Sequence, residues 1–187
     1  MTFLDLRAKL KVNIFTFLDV LKFFPEENTH NIRIQLSRFS QKGLVHNFKR
    51  EWYCFDQKLV DPLEIGSMLY KPSYVSLETA LNYFGIIPDI PQAVNLVTTT
   101  TTKKFKNVFG NFYYTKIKLS LFFGFTKVKS SVSESYFNLA RKEKAILDYF
   151  YLRRLTSISD LRLNLEEVDK KLFRKYAESF PFWIPKL

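Results

Sequence analysis

The sequence predicts an α+β fold, with an N-terminal winged helix-turn-helix over residues 1–58 and a small mixed α/β C-terminal domain over residues 59–187. Three observations carry that expectation. Helical spacing recurs three times before residue 43, and a basic hairpin pattern follows it. Beyond Lys58, helical stretches are interspersed with runs rich in β-branched and aromatic residues. Finally, 47% of the 187 residues are hydrophobic and 17% aromatic, enough apolar surface for one or two packed cores.

The elements follow in order. Phe3, Leu6 and Leu10 recur at helical spacing and predict a short amphipathic helix, followed by an apolar link over residues 13–15. Thr16 is an N-cap for a helix over 17–24, with Leu18, Leu21 and Phe24 on its core side and Pro25 ending it. Asn28 or Thr29 caps a third helix to about Lys42, and Gly43 supplies its stop. Two aromatic runs, 44–48 and 52–55, flank the basic turn Lys49-Arg50-Glu51 and read as a hairpin. Three helices and a basic hairpin is the order of a winged helix, in which the last helix enters the DNA major groove.

In the second part, helices are expected over about 61–70 and over 77–84, the latter capped by Ser76 and closed by Gly85. Strands are expected over 94–102, 112–119 and 121–128, with a tight turn at 109–112. A helix follows over 138–152, with Leu139, Ile146, Leu147 and Phe150 near its buried side, and a short helical turn opens at Ser157. Asn164, with Glu167 three residues on, is the expected cap of a final helix carrying Leu165, Val168, Leu172 and Tyr176 on one stripe.

Charge narrows the partners. The formal charge is +11, from 29 Lys and Arg against 18 Asp and Glu, which points to a polyanion or a membrane surface. The longest uncharged run, 90–102, is too short for the roughly 20 apolar residues that span a bilayer, and charges interrupt the N-terminal apolar stretch. A cytoplasmic protein is the expectation. One cysteine, Cys54, excludes an internal disulfide, and with two histidines neither a metal site nor a cofactor is expected. No nucleophile elbow or phosphate-cradling glycine loop is present, so no catalytic residues are assigned.

On the third helix Ile32, Leu36 and Phe39 share one side and must be core. His30, Arg33, Ile34, Ser37, Arg38 and Gln41 share the other. Arginine and glutamine offer paired hydrogen bonds to guanine and adenine edges, and serine bonds to either. His30, Arg33, Ser37, Arg38 and Gln41 are therefore the candidate base and backbone contacts, with Lys49 and Arg50 of the wing turn set near phosphates. An amphipathic helix with two arginines is common in proteins; the helix order, the Gly43 stop and the basic hairpin are what single this one out. A second basic surface is expected from Lys103, Lys104, Lys106, Lys116 and Lys118, which with Lys127 and Lys129 fall in a stretch without acids between Asp89 and Glu134.

Several blocks resemble AbiEi-type antitoxins of type IV toxin-antitoxin (abortive infection) systems. They are Ile14-Phe15-Thr16, Leu36-Ser37-Arg38, Lys42-Gly43-Leu44, the run from Tyr74-Val75-Ser76-Leu77-Glu78 to Pro88, Thr102-Lys103-Lys104, Gly110-Asn111-Phe112, Phe122-Phe123-Gly124 and Glu143-Lys144-Ala145-Ile146-Leu147-Asp148. They are collinear over nearly the whole chain. The resemblance implies a winged helix that binds double-stranded DNA at the operator of its own operon, and a second domain that counteracts a nucleotidyltransferase-type toxin without needing to touch it. Glu51 departs from the family by standing where the wing usually has glycine, and Arg141-Lys142 replaces a small residue and proline. Other readings are a solitary regulator without a toxin, a nucleic-acid enzyme using Glu143 and Asp148 with a metal, and a lysine surface that docks an acidic protein.

Overall fold

Thr2 and Thr16 each begin a helix by the same reciprocal device. The threonine side chain accepts the N–H of an aspartate three residues on, and that aspartate accepts the threonine's own N–H. The helices are α1, Phe3–Lys9, and α2, Phe17–Phe23. In the computed structural model, which describes residues 1–133, 135–157, 162–185 and 187, the chain divides into two compact units. One comprises Met1–Asp61 with Asn107–Phe109, the other Pro62–Lys106 with Gly110–Leu187. The fold is mixed α+β.

Within the first unit, residues 14–16 form a strand, β1 (Ile14–Thr16), where a short apolar link over 13–15 was expected. It pairs antiparallel with β3 (Trp52–Cys54), which also pairs with β2 (His46–Lys49), giving the sheet order β1-β3-β2. Strand pairing between residues about forty apart leaves no local signature, which is why β1 escaped the sequence reading. The α3 helix runs Thr29–Gln41 and is capped by Asn28, whose side chain accepts the His30 N–H at 2.8 Å. Its end is a left-handed Gly43, φ +68°, with the Leu44 N–H reaching back to the Phe39 carbonyl.

The core gathers Leu6, Leu10, Phe15, Phe17, Val20, Ile32, Leu36, Phe39, Val45 and Phe55. Each fully buried aliphatic chain contributes about 1.5–3 kcal/mol. On α2 the buried stripe is Phe17, Val20 and the C-cap Phe24, while Leu18 is 62% exposed. Both stripes are apolar, so helical period alone does not choose between them; contact with α3 and the sheet does.

The second unit is built on a six-stranded mixed sheet in the order β6-β7-β5-β4-β9-β8. Its strands are β4 (Ser73–Val75), β5 (Val94–Thr98), β6 (Lys103–Asn107), β7 (Gly110–Lys116), β8 (Phe125–Lys129) and β9 (Tyr136–Ala140). β4 runs antiparallel to β5 and parallel to β9, and β5 runs parallel to β7. The remaining helices are α4 (Pro62–Leu69), α5 (Leu77–Tyr83), α6 (Lys142–Arg153) and α7 (Lys170–Ala177).

Several boundaries move. The 94–102 run splits at its threonines, so that Lys103–Asn107 becomes a separate edge strand. Residues 138–140, expected to be the first residues of the 138–152 helix with Leu139 on its buried side, instead belong to β9, which fills the sheet position between β4 and β8, and α6 starts only at Lys142. The last helix starts at Asp169 rather than Asn164, because the Asp169 carboxylate accepts both the Lys171 and Leu172 N–H groups. The turn expected to open at Ser157 runs into residues 158–161 and lies outside the described residues. Among the described residues no helix is long and apolar enough to cross a membrane.

Candidate nucleic-acid interface

Burying Ile32, Leu36 and Phe39 turns the opposite side of α3 outward. His30, Arg33, Ile34, Ser37, Arg38 and Gln41 are all exposed there. The β2–β3 turn places Arg50 in solvent and leaves Lys49 half-buried, with its ammonium 5.7 Å from the Trp52 ring centroid. The Asn47 side chain donates to the carbonyls of Lys49 (2.9 Å) and Trp52 (3.1 Å), so the turn is tied from within. Register slips between Asn47 and Lys49, a bulge at Phe48 that bends the hairpin.

Arg33, one of the candidate base contacts, is already engaged within the protein. Its guanidinium donates to the Glu51 carboxylate at 2.8 Å and lies over the Phe17 ring, 3.9 Å from its centroid. Glu51 itself has φ +64°, the left-handed backbone that glycine adopts without penalty. The glycine-like turn is thus retained with a glutamate, and the glutamate's side chain is spent on Arg33. The ion pair joins α3 directly to the β2–β3 turn. The partners stand 18 positions apart, and no local signal pairs them. Glu51 was legible only as a departure from the resembling family, and Phe17 only as the first residue of the second helix.

Lys103, Lys104 and Lys106 lie exposed on the edge strand β6, Lys116 at the end of β7, and Lys118 just after it. Two of the ammonium groups sit over rings: that of Lys103 lies 5.2 Å from the Tyr70 centroid and 5.5 Å from that of Phe105, and that of Lys104 lies 5.0 Å from that of Tyr113. Lys127 and Lys129 are on β8, at the far edge of the six-stranded sheet. The acid-free stretch is therefore two surfaces rather than one.

Glu143 and Asp148, the carboxylates considered for metal chemistry, are both buried and serve separate ties. Glu143 accepts the Asp169 N–H at 3.0 Å, fastening the start of α7. Asp148 forms a fully buried ion pair with Lys144 and accepts from the Tyr74 hydroxyl at 2.9 Å and the Ser76 hydroxyl at 2.8 Å. Ser76 was expected to cap α5, but its hydroxyl is committed to Asp148 and makes no cap bond. Burial pushes the Asp148 carboxyl up, and the Lys144, Ser76 and Tyr74 donors act against that. The Lys144 ammonium also faces the rings of Tyr74, Phe123 and Phe180 at 5.2–5.4 Å. Gly124, φ +72°, makes room: a Cβ there would come within 3.1 Å of the Lys144 side chain. Three of the resembling blocks, at 74–76, 122–124 and 143–148, thus meet around one buried pair. Among the described residues no cluster of three or more His, Cys, Asp or Glu side chains is placed to hold a metal.

No family model matches the chain, and no curated protein matches it.

Proposed function

We propose that the chain is a sequence-specific duplex-DNA-binding protein of the AbiEi antitoxin type. On this reading it represses its own operon and counteracts a nucleotidyltransferase-type toxin without a catalytic step or cofactor of its own. The observation that carries the reading is the run α1-β1-α2-α3-β2-β3, in which the outward face of α3 and the basic wing turn are joined by the Arg33–Glu51 bond. That is the element order of a winged helix-turn-helix, with α3 as the recognition helix and Lys49-Arg50 at the wing tip. Arg38, Ser37, Gln41 and His30 read base edges or adjacent phosphates, and Arg33 joins them to the degree that Glu51 releases it. The second unit, with its lysine-rich β6–β7 edge, carries the antitoxic role.

Two measurements test the proposal. Fluorescence anisotropy with a fragment from upstream of the gene is expected to give saturable binding that falls steeply as salt rises. Absence of salt-dependent binding to any duplex would end it. Co-expression with a nucleotidyltransferase-type toxin encoded beside the gene is expected to relieve that enzyme's toxicity; duplex binding without such a neighbour, or without relief, leaves a solitary regulator of the same architecture.

A further inference from the structure

The end of β7 and the end of α6 border an open cleft of about 600 Å³ within the second unit, lined by Lys116, Tyr151, Leu152, Arg154, Pro181 and Trp183. That volume lies within the range of small-ligand sites. Its chemistry is consistent. Tyr151 and Trp183 stack with centroids 6.1 Å apart and an angle of 18° between ring planes. Lys116 and Arg154 are exposed cations, and among the described residues no carboxylate lines the cleft.

Arg154 adds a second observation. It stands at the C-cap of α6 with φ +56° and ψ +42°, a left-handed backbone where glycine or asparagine is the ordinary choice. A long cationic side chain that lines the cleft is held there at a backbone cost. Planar rings for stacking beside two cations is the combination that recognises a base together with its phosphate.

We propose that this cleft is a nucleotide-binding site, taking the base against the Tyr151–Trp183 pair and the phosphate against Lys116 and Arg154. The ligand is either a free nucleotide or one nucleotide of a single strand; the chemistry is shared. The assignment uses residues of the second unit alone and stands or falls without the proposed duplex binding.

Trp52 and Trp183 are the two tryptophans of the chain, so Trp52→Phe leaves Trp183 as the reporter. The full-length Trp52→Phe protein is titrated with ATP, CTP, pentathymidylate and inorganic tripolyphosphate while Trp183 emission is followed. Saturable quenching by the nucleotides or the pentathymidylate is expected, with tripolyphosphate binding more weakly. Quenching by pentathymidylate alone assigns a strand; quenching by ATP or CTP as well assigns a free nucleotide. Arg154→Gly suits the left-handed backbone, so its melting temperature should equal or exceed that of the parent while nucleotide affinity drops about tenfold or more. Equilibrium dialysis on Trp183→Leu should bring nucleotide binding down to the tripolyphosphate level. No saturable quenching up to millimolar ligand, equal affinity for tripolyphosphate and nucleotides, or unchanged binding in folded Arg154→Gly would each overturn the assignment.

Discussion

Glu51 shows how much one side chain decides at the proposed DNA face. A left-handed glutamate costs about 1–2 kcal/mol relative to glycine, and its half-exposed bond to Arg33 returns only about 0–1 kcal/mol. Glu51→Gly should therefore leave stability unchanged or raise it slightly in chemical denaturation. The same substitution removes an anion from the interface and frees a cation. Duplex affinity should rise, and the slope of log K against log salt should steepen by about one. A weaker complex would mean that the ion pair positions Arg33 rather than restraining it. At the buried pair the arithmetic runs the other way. Asp148→Asn strands the Lys144 charge, fully buried, without its counter-ion, which costs about 3–5 kcal/mol and lowers Tm by roughly 10 °C. Combining it with Lys144→Met should cost much less than the two single changes added together.

At the scale of the element, α3 and the wing are expected to fail in different ways. Arg38→Ala removes a side chain suited to a base edge and should lower affinity for the operator while sparing other duplexes, by about 1–3 kcal/mol. Lys49→Ala should weaken all duplexes about equally and reduce the salt slope by about one. Competition anisotropy with operator and random duplex separates the two. The α3 boundaries were legible because Asn28, the Ile32-Leu36-Phe39 stripe and Gly43 are local and agree with one another. β1 and β9 were not. Three residues of Ile14-Phe15-Thr16 carry no period, and Tyr136–Ala140 is equally compatible with helix until β4 and β8 pair with it. On α2 the choice of stripe was also lost, since Leu18 and Phe17 are both apolar and only packing tells them apart.

For the whole molecule, the charge of +11 resolves into surfaces with different prospects. Duplex binding by the full chain should show a salt slope set by the α3 and wing cations. Reversing Lys127 and Lys129 together, on the far edge strand from the β6 lysines, should leave antitoxic relief intact, whereas reversing Lys103, Lys104 and Lys106 should impair it. A toxicity assay with matched expression levels reads both. Equal effects from the two edges would point to overall charge rather than to a surface.

Composition, periodicity and caps were enough to determine an α+β chain, the core side of α3 and the outward set His30, Arg33, Ser37, Arg38 and Gln41, because those properties are written within a turn or two of helix. Tertiary structure alone decided which partners the charged groups take: Arg33 with Glu51, and Asp148 with Lys144, Tyr74 and Ser76. It also set the six-strand order that parts the β6 lysines from those of β8. The reason is physical. Local sequence governs backbone conformation, whereas the energy of a charge depends on what the fold brings within a few ångströms of it, from any distance along the chain.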